Sequence, residues 1–225
     1  MTTSKPLVVL CAGKTSLHRI NRWHLKEKRN FELWIVAYDS ETPTEGADWV
    51  VFRTGPKWDL IRSVSERILE KNPSWLWLPD DDLSIDVTSV NTFFEMFEKE
   101  DDKIIAQPSL TPQNVSCVEL VHIPGGTPWR DVGFIEIQMP CFCGSLVSRL
   151  LDFVHDHDEN KSGWGLDCVW SCWPGISKRV INCVVAVHTR PVNCSGGFYS
   201  RYGIDPVAER DACLQKNKFL FMTLP

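Results

Sequence analysis

Three carboxylates stand side by side at Asp80-Asp81-Asp82, directly after the apolar run Trp75-Leu76-Trp77-Leu78. Adjacent like charges are costly unless water or a cation neutralises them. Hard divalent ions such as Mn²⁺ or Mg²⁺ prefer oxygen ligands. In an extended segment residues i and i+2 project to the same side, so Asp80 and Asp82 converge on one ion while Asp81 points elsewhere. An ion held there would offer positive charge to an anionic ligand such as a diphosphate. The same residues occur in acidic turns that open helices without any metal. Position at the carboxyl end of an apolar strand is what favours the metal.

Other side chains suit the same chemistry. Lys57, in Arg53-Thr-Gly-Pro-Lys57-Trp58, precedes a helical pattern, where an ammonium group and free backbone amides can neutralise a diphosphate. Arg130 and Arg190 are further candidates for that role, and Asp81 is counted with the donor-binding residues. Trp164, beside glycines, and Trp129, beside an arginine, are candidates to stack on a sugar face, as is Trp58. Trp34, Trp49, Trp75 and Trp77 lie in strand patterns and are assigned to the core.

These residues need a scaffold that brings strand ends together. Val8–Cys11, Leu33–Ala37, Trp49–Phe52 and Trp75–Leu78 are short continuous apolar runs, as in strands covered on both faces. Between and after them, Trp58–Lys71 and the segment carrying Val90, Phe93, Phe94 and Phe97 show helical spacing. Strand–helix alternation of this kind implies a doubly wound α/β sheet that binds ligands beyond the carboxyl ends of its strands. On that fold the loop holding Gly13 and the turn holding Tyr38 and Asp39 border the base and ribose, although turn chemistry explains Asp39 equally well. The later half predicts strands at Lys103–Ala106, Phe134–Gln138 and Val180–Val187. Helices are expected from Ser145 to Val154, after Gly163-Trp164-Gly165, and from Asp205-Pro206, an N-cap followed by a first-turn proline. Pro124–Pro128 and Ser195–Gly197 read as loops.

Bulk properties narrow the classes. The chain has 225 residues, 43% hydrophobic and 24% charged, enough for one folded domain without staples. Its net charge of −5 and lack of a basic block argue against nucleic acid as a partner. Nine irregularly spaced cysteines read as free thiols in a reducing compartment. No run is long enough to span a membrane or to act as a signal peptide, so the expected location is cytoplasmic (for a viral protein, the host's cytoplasm). The sequons at Asn114, Asn160 and Asn193 then read as chance matches.

The ordered motifs carry a resemblance. Gly55-Pro-Lys57-Trp58, Leu78-Pro-Asp80-Asp81-Asp82, Ala106-Gln-Pro108, Phe134-Ile-Glu-Ile-Gln-Met-Pro140 and Ser162-Gly-Trp-Gly-Leu-Asp167 resemble the GT-A class of glycosyltransferases. More closely they are similar to a small family shared by plants and large algal viruses, which includes a viral capsid-glycan domain resembling a rhamnosyltransferase. The resemblance covers most of residues 7–190. It implies a GT-A-like α/β fold with a Rossmann-type, mostly parallel sheet and a smaller mixed acceptor-side region. Residues 1–100 would form the nucleotide-binding half and 101–225 the acceptor half of one domain, whether alone or within a longer protein. The resemblance also implies a base at Asp167, after the Gly-Trp-Gly turn, which would deprotonate the acceptor hydroxyl. A helix-capping role for Asp167 is the plain alternative. His188, ending the Val180–Val187 run, is implied as a third metal ligand beside Asp80 and Asp82.

The activity expected is a metal-dependent, inverting transfer of a sugar from a nucleotide donor, UDP favoured, to a glycan hydroxyl. A sugar nucleotidylyltransferase is the enzymatic alternative, but the loop after the first strand holds only one glycine. That loop is not a P-loop, and no Gly-x-Ser-x-Gly elbow supports a hydrolase. A carbohydrate- or nucleotide-sugar-binding module without turnover is the non-enzymatic alternative.

Overall fold

A computed structural model describes residues 4–97, 103–113, 115, 117–190, 198–218 and 220. The Ser195–Gly197 loop and the sequons' Asn114 and Asn193 lie outside the described residues. Strand β1 (Leu7–Ala12), β2 (Glu32–Ala37) and β3 (Trp49–Phe52) are followed by helices α1 (Lys57–Arg62) and α2 (Ser65–Lys71). Then come β4 (Trp75–Trp77), the two-residue β5 (Leu83–Ser84), α3 (Val87–Glu95) and β6 (Ile104–Leu110). The later part holds β7 (Trp129–Asp131), β8 (Cys141–Cys143), α4 (Gly144–Asp156), α5 (Leu166–Ser171), β9 (Ser177–His188), α6 (Phe198–Tyr202) and α7 (Pro206–Lys216).

The sheet order is β3-β2-β1-β4-β8-β6-β9-β5, with β7 also paired to β9. Pairs β3–β2, β2–β1, β1–β4 and β6–β9 are parallel; β8 runs antiparallel between β4 and β6. Strands β1–β4, β6 and β9 therefore all point one way, and their carboxyl ends share an edge. The core explains the pairing. Every residue of β1 is buried and β2 is buried from Leu33 onward, as expected of strands covered on both faces. Trp77 packs its ring against Trp23, Phe93 and Phe94.

Three elements depart from expectation. The Trp58–Lys71 pattern is two helices, because Ser63 and Ser65 turn their hydroxyls back to the carbonyls of Leu60 and Arg62. Such back-bonding competes with regular helix geometry and bends it. Phe134–Gln138 is not a strand. Its backbone groups go to side chains instead: Ile135 N–H to Ser171 Oγ, Glu136 N–H to Gln107 Oε1, and the Ile135 carbonyl to Trp170 Nε1. Cys141–Cys143, an apolar run assigned no element, is the antiparallel β8 between β4 and β6. The eight cysteines that are described are free, and no helix among the described residues is long and apolar enough to cross a membrane.

Candidate active site

Two residues separate strand β4 from the acidic triplet, and β5 follows the triplet immediately. Because Leu83 pairs with His188 across β5 and β9, the end of β9 lies beside Asp82. Thr189 fixes this register: both its N–H and its hydroxyl donate to the Asp82 carbonyl, at 3.2 and 2.7 Å. His188 Nε2 consequently sits 3.2 Å from Asp82 Oδ2. One ligand atom each from Asp80, Asp82 and His188 lie within 4.8 Å of one another.

The three carboxylates face different partners. Asp80 Oδ1 accepts from Lys57 Nζ at 2.6 Å. Asp81 accepts from the Gly13 N–H at 2.9 Å and from the Tyr38 hydroxyl at 2.8 Å, with Arg190 at 3.3 Å. Asp82 meets His188, and its second oxygen, Oδ1, is buried with no hydrogen-bond partner among the described residues. An orphaned buried carboxylate oxygen is costly, and a cation is the partner its charge calls for. Two carboxylates and an imidazole, converging with one oxygen still free, fit a divalent metal of the Mn²⁺ type; Mg²⁺ takes oxygen ligands by preference.

Electrostatics separate the pair. Burial pushes the Asp80 carboxyl up, against the pull of Lys57 and with the repulsion of Asp82. Burial also raises Asp82, but His188 and Arg190 more than offset it, and Asp82 titrates below its ordinary value. His188 is raised: burial acts downward and is outweighed by Asp82, Asp80 and Glu136.

A cavity of about 450 Å³ opens over this cluster. Tyr38, Lys57, the three aspartates, His188 and Arg190 line it, and so do Trp164 and Asp167. The turn before α5 requires glycine. Gly163 (φ +85) and Gly165 (φ +91) both take left-handed backbone, and a Cβ on Gly163 would lie 2.1 Å from Ile137 Cδ1 and from Trp58 Nε1. This turn puts Asp167 in the first turn of α5, facing the cavity, where burial raises its carboxyl to about 6 despite the hydrogen bond from the Cys168 N–H at 2.9 Å. Trp164 donates from Nε1 to the Tyr199 hydroxyl at 3.1 Å, which fixes the indole at the cavity wall.

Several sequence assignments change. Lys57 has three N–H donors and spends them on Asp80 and on the carbonyls of Ile137 and Gln138, at 2.6, 3.1 and 3.2 Å. It therefore orients Asp80 rather than standing free for a phosphate. Gly13 lies under the Tyr38 ring, where a Cβ would come within 2.5 Å of that ring. Asp39 is not on the cavity wall; it accepts from the Glu41 N–H at 2.9 Å, an ordinary turn contact. Arg130 and Trp129 lie elsewhere, on β7 against the opposite end of β9 from His188. Arg130 binds Asn182 Oδ1 and the carbonyls of Glu119 and Val121, and the Arg179 guanidinium covers the Trp129 ring at 3.7 Å. Trp58 is fully buried against Trp170, so it offers no face to a sugar. Glu136 and Gln138, both buried and both on the cavity wall, were missed. Their alternation with Ile135 and Ile137 reads as the wet face of a strand that does not exist.

No protein-family model and no curated protein matches the sequence. Solved structures do resemble the fold. A crystal structure of GalNAc-T7 with UDP, GalNAc and Mn²⁺ aligns with a TM-score of 0.59 over 94% of this chain and 48% of that one, at 10% identity. A crystal structure of S. aureus TarS aligns with a TM-score of 0.50 over 83% of this chain and 37% of that one, at 11% identity. The chain thus spans less than half the length of either. At such identities the likeness is one of architecture, and the architecture is the GT-A-like α/β fold, a mostly parallel Rossmann-type sheet with helices, carrying an Asp-Asp-His group at its carboxyl edge.

Proposed function

We propose that the chain is a metal-dependent, inverting glycosyltransferase that moves a sugar from a nucleoside-diphosphate donor, UDP by preference, to a glycan hydroxyl. The observation that carries this reading is one cavity lined both by the Asp80–Asp82–His188 cluster and by the raised carboxyl of Asp167.

A divalent cation, Mn²⁺ in preference to Mg²⁺ because of the imidazole, would neutralise the departing diphosphate there. Asp80, Asp82 and His188 would be its ligands. Lys57 holds Asp80 in place, and Asp81 ties the ends of β1 and β2 together through Gly13 and Tyr38, where the nucleoside would rest. Arg190 adds positive charge at the mouth. Asp167 accepts the proton of the acceptor hydroxyl as that oxygen bonds to the anomeric carbon and the bond to the diphosphate oxygen breaks. Trp164, steadied by Tyr199, gives the acceptor sugar an apolar face. On this reading residues 1–100 serve mainly the nucleotide and 101–225 mainly the acceptor, with His188 and Arg190 reaching back to the acidic triplet.

The test is calorimetric titration of UDP and GDP, each with Mn²⁺ and with a chelator. UDP binding that needs Mn²⁺ and disappears in Asp82→Ala is the expected result. If neither nucleotide binds with metal present, the reading is wrong. Product stereochemistry by NMR tests inversion separately; retention would remove Asp167 from the role of base.

A further inference from the structure

Two buried polar side chains on the cavity wall have no part in the proposed transfer. Glu136 is 3% exposed and Gln138 is 6% exposed, yet both face the cavity. Gln138 Oε1 is out of water and has no hydrogen-bond partner among the described residues. Native interiors leave few such groups unsatisfied, and those they leave call for a partner. Here a ligand can supply it.

The position of the residue says which part of a ligand that is. The Gln138 carbonyl accepts from the Asp80 N–H at 2.7 Å and from Lys57 Nζ at 3.2 Å, so the residue is bonded directly to the proposed metal group. The nucleoside end of the site, at Gly13 and Tyr38, is tied to Asp81 instead. An amide beside Asp80 therefore meets the diphosphate or the sugar attached to it. A diphosphate offers only acceptors and cannot satisfy an amide oxygen. A sugar hydroxyl is both donor and acceptor, matching the two ends of an amide whichever way it is turned. The segment is also rigid: Ser171, Gln107, Trp170, Lys57 and Asp80 hold its backbone between Ile135 and Gln138. Preorganised groups discriminate best.

We propose that Gln138, with the Glu136 carboxylate beside it, reads a hydroxyl of the donor's sugar and makes the protein select a hydroxylated hexose over the matching deoxysugar. The proposal rests on the glycosyltransferase reading. A site built to bond a hydroxyl rejects the analogue lacking it much more strongly than an apolar pocket rejects an added group.

The experiment is a binding cycle with Mn²⁺ present. UDP, UDP-glucose, UDP-galactose and the monodeoxy forms of the better-bound sugar nucleotide are titrated into wild type, Gln138→Leu and Gln138→Asn. In wild type, one deoxy form should bind about tenfold or more weaker than its parent. In Gln138→Leu the parent should weaken to the level of that deoxy form, while bare UDP binds as in wild type and so reports an intact fold. Gln138→Asn, which keeps the amide on a shorter arm, should fall between. Equal parent-to-deoxy ratios in all three proteins, with UDP still bound, would overturn the role of Gln138 and leave the transferase reading standing. Loss of UDP binding in wild type would overturn both.

Discussion

Asp167→Asn should make the protein more stable while abolishing transfer. The wild-type carboxyl titrates at about 6 in the fold against 3.8 as its ordinary value. A raised carboxyl favours the neutral form in the folded state, so its contribution to stability is greatest below pH 3.8 and is lost as pH rises to about 6. The shift of roughly two units corresponds to about 3 kcal/mol at neutral pH, an upper limit because water reaches part of the group. About half of that is lost by pH 5. Asparagine keeps an acceptor for the Cys168 N–H and never ionises. Its melting temperature should match the wild type's near pH 4 and exceed it at pH 7 by up to about 6–12 °C for a chain of this size. Scanning fluorimetry of both proteins from pH 4 to pH 8 measures this without any substrate. A variant that melts below wild type at pH 8, or a difference that does not change between pH 4 and pH 7, would refute the burial argument. With donor and acceptor in hand, the same variant should bind donor normally and lose about 10²–10⁴-fold in turnover, and wild-type turnover should fall about tenfold from pH 7 to pH 5 as Asp167 is protonated.

Other outcomes rest on the same geometry. His188→Ala and Asp82→Asn should each weaken Mn²⁺ binding at least about tenfold, read by paramagnetic titration, because each removes one of three converging ligands. Unchanged Mn²⁺ affinity in both would eliminate this site. Gly163→Ala should destabilise by about 3 kcal/mol or more in chemical denaturation, since its Cβ meets Ile137 and Trp58 at 2.1 Å on left-handed backbone. A wild-type midpoint would show that the turn before α5 relaxes freely. Tyr38→Phe should cost about 1 kcal/mol by deleting the hydrogen bond to Asp81, with no change in Mn²⁺ affinity; a metal defect would mean that Asp81 takes part in the metal group.

Much of the scaffold could be read from periodicity because its strands are buried on both faces. Leu7–Ala12 and Leu33–Ala37 have no polar residue to blur the signal. The triplet could be read for the same reason, since three charges ending an apolar run need an explanation. His188 needed the resemblance: only the β5–β9 pairing, invisible along the chain, sets it beside Asp82. Glu136 and Gln138 were missed because alternation in a window of five residues does not distinguish a half-wet strand from an irregular segment bonded by side chains. Arg130 and Trp129 lie away from the cavity for the opposite reason. Residue type made them candidates, but β7 carries them to the other end of β9.

The triplet itself shows how adjacent like charges can persist in a fold without all being protonated. The carboxylates draw positive groups from different stretches of chain: Asp80 takes Lys57 from the start of α1, Asp81 takes Arg190 from beyond β9, and Asp82 takes His188 from the end of β9 with Arg190 shared. Their responses differ in sign, Asp80 moving up and Asp82 down. Asp80 is paired with Lys57, while Asp82 keeps one oxygen without a hydrogen-bond partner among the described residues. Asp81 is the fixed member, committed to Gly13, Tyr38 and Arg190. With Asp80 held by Lys57 and Asp81 by Gly13 and Tyr38, the loop is already shaped, so a metal bound as proposed would not require it to be rebuilt. The same anchoring passes any movement of Asp81 to the ends of β1 and β2. If nucleotide and Mn²⁺ bind as proposed, coupling through Asp81 must be reciprocal: the factor by which Mn²⁺ changes nucleotide affinity equals the factor by which nucleotide changes Mn²⁺ affinity, and titrating each ligand with and without the other measures both.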